Sequence, residues 1–179
     1  AQSLLNKVGI TFLFAPLYHP ALKAVAPVRK ELGFRTVFNL LGPLLNPAGV
    51  KRQLVGVYGE ALTGKIAEVL LELGSEKALV VHCAGVDELS LHSPCKVSEL
   101  SGGKIENYAL DCIDVGLARQ PFESLAGGGP EQNARIMRGV LDGEPGPQSD
   151  VVAFNAGAAL YVAGAARTII DGVSAAQRV

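Results

Sequence analysis

The order strand, helix, strand across residues 53–82 constrains this 179-residue chain more than any other feature. Residues 53–58 (QLVGVY) are a short apolar run of the kind that fills a buried strand. Residues 61–73 carry apolar side chains at helical spacing and close on Gly74, and residues 77–82 (KALVVH) are a second apolar run. Two such runs around one amphipathic helix, joined by short connections, make a βαβ unit, whose strands are parallel and whose helix packs on the sheet. The chain therefore reads as an α/β fold with a largely parallel central sheet flanked by helices. With 49% hydrophobic and 18% charged residues, intrinsic disorder is excluded. The length suits a single domain spanning 1–179, large enough to bury a core without disulfides or a structural metal.

The remaining segments are placed around that unit. Leu4, Leu5 and Val8 share a helical face that ends at Gly9, and a second helix runs from Ala21 to Gly33 with Pro27 inside it. Residues 35–41 read as extended or mixed, with Gly42-Pro43 and Asn46-Pro47 imposing turns. Residues 89–92 and 104–108 are shorter strand candidates. Residues 130–141 form a helix with proline in its first turn, capped by Gly143, and Asp150 is the expected N-cap of a long helix over 151–163.

Charge and cysteine usage narrow the partners. Sixteen basic against seventeen acidic residues give a net charge of −1, which supplies no general attraction to nucleic acid or anionic membrane. Three widely spaced cysteines argue for a reducing, cytoplasmic setting rather than a secreted disulfide scaffold. The longest apolar stretch, 151–166, is too short to span a bilayer and contains Asn155. The chain opens on Ala1 with no signal-peptide pattern and stops within a helix-like segment, so a piece of a longer protein is expected.

Five local patterns bear on chemistry. Gly59 to Ile66 approaches a phosphate-binding P-loop, but Ile66 stands where Mg²⁺ needs a hydroxyl, which excludes an NTPase. His82, Cys83, His92 and Cys95 come closest to a metal cluster. His82 and Cys83 are consecutive in a strand, however, and point to opposite faces, so buried neutral side chains are the default. Gly127-Gly128-Gly129-Pro130 leads into a helix N-terminus and reads either as an anion cradle or as a plain link. Arg29 can fork onto a carboxylate or phosphate, or lie on a helix surface. Asp87-Glu88 follows the second strand, beyond whose carboxyl end α/β sheets place their ligands. The pair reads either as a Mg²⁺ site shared with substrate phosphate or as a solvated acidic turn.

Taken together, the segments resemble a known family. Phe12-Leu-Phe-Ala-Pro16, His19-Pro20-Ala21, Pro27-Val28-Arg29, the run from Leu32 to Leu44 (LGFRTVFNLLGPL) and Asn46-Pro47 resemble the central segment of the anthranilate phosphoribosyltransferases. Val80-Val81-His82 with Asp87-Glu88-Leu89-Ser90 resembles that family's acidic metal motif, and Asp150 with Asn155-Ala156 its C-terminal helix. The turn before the acidic pair departs from the family's His-Gly-x-Asp-Gly pattern, since His82-Cys83-Ala84-Gly85-Val86 lacks an acidic residue and a glycine.

The resemblance implies a nucleoside phosphorylase/phosphoribosyltransferase C-terminal domain type of fold. It also implies an enzyme that joins anthranilate to phosphoribosyl diphosphate with release of diphosphate, in tryptophan biosynthesis. Implied with it are Mg²⁺ at Asp87 and Glu88, anthranilate contacts from Arg29, His19, Gly42 and Pro43, and a cytoplasmic homodimer that binds no nucleic acid or membrane. The family's small helical domain and glycine-rich diphosphate loop have no counterpart in this sequence, so the chain is expected to be the later half of such an enzyme and inactive alone. Two alternatives fit less well. A pyrimidine nucleoside phosphorylase matches the block from His19 to Pro47 poorly, and a nucleic-acid-binding relative would carry a basic surface.

Overall fold

The protein was analysed as a computed structural model that describes residues 1–34 and 36–179; the side chains of residues 15, 21–24, 26 and 29 fall outside the description. Two units make it up, Ala1–Gly49 and Val50–Val179. The first holds four helices, α1 (Gln2–Val8), α2 (Ala15–Tyr18), α3 (Pro20–Leu32) and α4 (Phe38–Leu44). As expected, α1 closes on Gly9 and α3 runs through Pro27 to Gly33. The segment 35–41, expected to be extended or mixed, enters a helix at Phe38, and Arg35 lies outside the described residues. Gly42 and Pro43 sit in the last turn of α4 rather than in a turn of their own. In so short a helix, Pro43 removes a single backbone donor, a cost that the element tolerates.

The second unit contains β1 (Arg52–Gly56), α5 (Leu62–Glu72), β2 (Lys77–His82), β3 (Cys95–Ser101), β4 (Lys104–Leu110), α6 (Pro130–Leu141), α7 (Pro147–Ala163) and α8 (Ile169–Ala176). The four strands lie in the order β1-β2-β3-β4. β1 and β2 are parallel, from Arg52 opposite Lys77 to Gly56 opposite Val81, as the βαβ reading requires. The α/β class holds, but the largely parallel sheet does not, because β3 is antiparallel to β2 and β4 antiparallel to β3. Segment 83–94 carries no helix to return the chain across the sheet, so the next strand must run back. The β3–β4 connection is a two-residue hairpin at Gly102 and Gly103, both left-handed (φ 56° and 76°), a geometry that only this kind of pair adopts without strain.

β2 is the centre of the core, with Ala78, Leu79, Val80 and Val81 all buried. Alternation along the strand divides them between two faces. Leu79 and Val81 join Phe154, Ala158 and Val162 of α7 and Val173 of α8 in one apolar cluster, while α5 brings Ile66, Ala67 and Leu70 against β2 and β3. α7 starts at Pro147, ahead of the expected position, with Gly146 as its N-cap and Asp150 in its first turn. The peripheral face carries one polar knot. The Glu99 carboxylate accepts the hydroxyls of Tyr108 (2.8 Å) and Tyr161 (2.6 Å), tying β3, β4 and α7 together.

Candidate active site at the carboxyl ends of the parallel strands

β1 and β2 end side by side at Gly56 and His82, and the chain leaves β2 through a tight turn. The main chains of Cys83 and Val86 hydrogen-bond each other in both directions, at 2.9 and 3.0 Å. The two residues between them, Ala84 and Gly85, are both left-handed, with φ 42° and 97°. Alanine pays for that conformation with a Cβ clash, and it is the one described residue other than glycine with positive φ. The turn delivers Asp87 and Glu88 to the surface, where both are exposed.

Three contacts hold this corner. The His82 ring is nearly buried, with Nδ1 2.8 Å from the Val57 carbonyl and Nε2 accepting the Gly85 N–H at 3.1 Å. Those partners specify the tautomer: Nε2 accepts, so Nδ1 carries the hydrogen and donates to Val57. The imidazole thus staples the end of β1 to the turn. Gly56 packs directly on the main chain of Asp87. A Cβ there would lie 2.5 Å from the Asp87 carbonyl carbon and nearer still to its oxygen, so only glycine fits. From α7, Asn155 binds both main-chain groups of Leu89, with Oδ1 accepting its N–H at 3.1 Å and Nδ2 donating to its carbonyl at 2.8 Å.

Neither the Asp87 nor the Glu88 carboxylate has a hydrogen bond or ion pair among the described residues. No set of three or more His, Cys, Asp or Glu side chains that could enclose a metal occurs among them either. Two adjacent exposed carboxylates fit an ion such as Mg²⁺, which uses one or two carboxylates and fills its shell with water and phosphate oxygens. They do not fit a fully protein-enclosed ion.

The other sequence candidates resolve differently. Ile66 is buried and Lys65 exposed, so the P-loop-like segment is an ordinary entry into a core-facing helix. Cys83 and Cys95 are buried and turn their thiols onto the Ser90 and Ser93 carbonyls, while His92 bonds Ser90 Oγ at 2.8 Å and packs at a tilt against the Phe122 ring. A hydrogen bond shared with Cys83 pushes the Cys95 thiol well above its usual range, with burial adding to it. Such thiols are core residues rather than ligands. At the head of α6, Asn133 occupies the backbone of Gly128, accepting its N–H at 2.8 Å and donating to its carbonyl at 2.9 Å. That loop is locked onto its own helix.

The residues expected on the anthranilate side all fall in the first unit. His19 is the half-buried N-cap residue of α3, Gly42 is exposed in α4, and Pro43 beside it is half-buried. The side chain of Arg29 lies outside the described residues. Gly56 and Asn155 are the site residues that sequence reasoning passed over. A lone amide in the apolar run 151–163 was the available signal for Asn155, whereas nothing local marks Gly56.

A helix-flanked mixed sheet makes this an α/β domain, and its acidic corner lies beyond the parallel strands, where such sheets place their ligands. The chain belongs to the glycosyl transferase family, a/b domain, whose model matches residues 1–179. It is 49% identical over 178 residues to an anthranilate phosphoribosyltransferase of Nitrosomonas eutropha, covering 99% of this chain and 52% of that protein. With the same enzyme of Haloferax volcanii it shares 50% identity over 177 residues, covering 98% of this chain and 54% of the relative. Among solved structures, the Thermus thermophilus anthranilate phosphoribosyltransferase superposes with a TM-score of 0.92 at 47% identity, across 98% of this chain and 52% of that one. The Saccharomyces cerevisiae enzyme in complex with PRPP and Mg gives 0.87 at 29% identity, covering 98% of this chain and 51% of its own. In complex with 4-fluoroanthranilate, the yeast enzyme gives 0.88 at 28% identity, covering 98% and 52%. The resemblance read from the sequence is borne out, and the chain spans about half the length of the relatives it matches. Among the described residues no helix is long and apolar enough to cross a membrane.

Proposed function

We propose that this chain is the later, α/β half of an enzyme that transfers the phosphoribosyl group from phosphoribosyl diphosphate to anthranilate. On this reading the product is phosphoribosyl-anthranilate and the setting is cytoplasmic tryptophan biosynthesis by a homodimer. The observation that carries it is the exposed pair Asp87 and Glu88, without an ion-pair partner among the described residues and held beyond the parallel strands by a main chain that His82, Gly56 and Asn155 fix in place. The similarity to enzymes solved with PRPP and Mg supports it.

The chemistry sets what the residues must do. An aromatic amine is neutral at pH 7 and is already a nucleophile, so no strong base is needed. The barrier lies in breaking the bond to diphosphate, where negative charge collects on the leaving oxygen. When bound, Mg²⁺ would supply neutralisation of that charge. Asp87 and Glu88 would hold the ion, and their fixed backbone would lower the reorganisation that orienting the donor otherwise costs. Arg29 pairs with the anthranilate carboxylate through a charge-assisted fork and aims the amine, with His19, Gly42 and Pro43 bordering its approach.

The half-enzyme reading is tested by assaying two proteins with anthranilate, phosphoribosyl diphosphate and Mg²⁺: this 179-residue chain and the complete gene product that contains it. The complete protein should consume anthranilate and the chain alone should not. Transfer by the chain alone, or preference of the complete protein for a pyrimidine nucleoside and phosphate, would overturn it.

A further inference from the structure

Asn155 is the one carboxamide in the otherwise apolar run 151–163 of α7, and it spends its hydrogen-bonding capacity in a way that packing alone does not require. Its Oδ1 accepts the Leu89 N–H, while its Nδ2 donates to the Leu89 carbonyl and, at 2.9 Å, to the Val151 carbonyl of its own helix. The orientation of the amide is unambiguous, since two carbonyls require the NH₂ and one N–H requires the oxygen. The bond to Val151 in turn fixes the side chain on α7.

Leu89 is fully buried, beside the same core cluster as Phe154, and directly follows Glu88. Residues 87–89 belong to no strand or helix. Among the described residues, Asn155 makes every hydrogen bond received by their main chain. Both polar groups of Leu89 are gripped by one rigid planar amide, as a neighbouring strand would grip them. That grip sets the plane of the peptides on either side of Leu89, and so the direction in which Glu88 and Asp87 leave the core. On the opposite side the main chain of Asp87 rests on Gly56.

We infer that Asn155 is a positioning residue for the acidic pair: it never touches the metal or substrate, and it aims the two carboxylates by holding the Leu89 main chain. The inference rests on the proposal that Asp87 and Glu88 bind the divalent cation. A side chain acting one step behind the ligands typically changes metal affinity ten- to a hundredfold when removed.

The test uses the 179-residue chain with Mn²⁺ alone as the probe, read by paramagnetic broadening of the amide signals of residues 86–90. Amide hydrogen exchange at Leu89 is measured alongside. Asn155→Ala should keep its circular dichroism spectrum, lose protection at Leu89, and need about tenfold or more Mn²⁺ for half-maximal broadening. Gly157→Ala, which crowds α8 from the same helix without touching Leu89, should lower stability and leave the Mn²⁺ titration unchanged. A folded Asn155→Ala with wild-type Mn²⁺ affinity overturns the positioning role. Wild-type Mn²⁺ response in Asp87→Asn/Glu88→Gln instead refutes the metal reading of the pair, and the positioning role falls with it even if Leu89 loses protection. If Asn155→Ala does not fold, Asn155→Asp, which keeps the acceptor and loses the donors, is read by the same criteria. Failure of both to fold overturns the inference in favour of a purely structural amide.

Discussion

Replacing Gly56 by alanine should disturb the acidic corner more than any other single methyl group added to the sheet. The new Cβ would stand 2.5 Å from the Asp87 carbonyl carbon, where ordinary contact begins near 3.4 Å, and both partners are main chain rather than a yielding side-chain tip. The Asp87 carbonyl oxygen lies closer still, so strand β1 or the Asp87 main chain must retreat by well over an ångström. Overpacking of this kind costs about 1–3 kcal/mol, and a displacement of about 1 Å at a site is worth about a hundredfold in rate. Gly64→Ala is the matched control. It lies inside α5, its Cβ would meet only Asn107 Oδ1 at 3.9 Å and Ser98 Oγ at 4.0 Å, and a glycine-to-alanine change in a helix should stabilise by about 0.5–1 kcal/mol. Urea unfolding of both variants gives the energies, and amide shifts of residues 86–89 report the displacement. A Gly56→Ala protein as stable as wild type, with those shifts unmoved, would refute the packing argument.

Three further outcomes are expected. Ala84→Gly removes a Cβ from a left-handed turn position and should stabilise the chain by about 0.5–1 kcal/mol in urea unfolding; a loss of stability would contradict the strain assigned there. Burial, followed by the Glu99 hydrogen bond, pushes the Tyr161 phenol up to about 12, and the same causes push Tyr108 higher still. The folded state thus keeps protons that the unfolded chain releases near pH 10, so stability should be full below pH 10 and fall as pH rises toward 12 and beyond, which urea midpoints across that range would check, with Glu99→Gln flattening the slope. In the complete enzyme, Arg29→Ala should weaken anthranilate use by about ten- to a hundredfold, the worth of a lost charge-assisted pair of about 1.5–3 kcal/mol, while phosphoribosyl diphosphate kinetics stay nearly constant.

The parts of this fold that were legible in the sequence are those whose signal is local. β1 and β2 announce themselves through apolar runs and α5 through helical spacing closed by Gly74, and β2 is buried along nearly its whole length. β3 was missed because Lys96, Ser98 and Glu99 break its apolar pattern. Ser98 is nevertheless fully buried, satisfied by Asn107 Oδ1 at 2.6 Å, a partner supplied only when the hairpin closes. Residues 89–92 looked like a strand because Leu89 and Leu91 are buried, but their backbone is held by Asn155 and by cysteine sulfurs rather than by a ladder. The start of α7 was read four residues late, since the apolar run begins after the polar first turn that Pro147 opens.

The same division runs through the site. Asp87 and Glu88 could be singled out because a strand, a short turn and two carboxylates are adjacent in the chain. Gly56 and Asn155 act on them from β1 and α7, and their roles exist only once those elements meet.

The role proposed for Asp87 and Glu88 is to hold the Mg²⁺ that serves phosphoribosyl transfer. Its most direct test is the Mg²⁺ dependence of transfer by the complete enzyme carrying Asp87→Asn/Glu88→Gln. The amides keep the size of the turn and remove two negative charges, so the variant should melt at an unchanged or slightly higher temperature without ligand and require far more Mg²⁺ to reach a reduced maximal rate. A Mg²⁺ profile identical to that of the wild type would contradict the account and make the acidic pair a solvated turn.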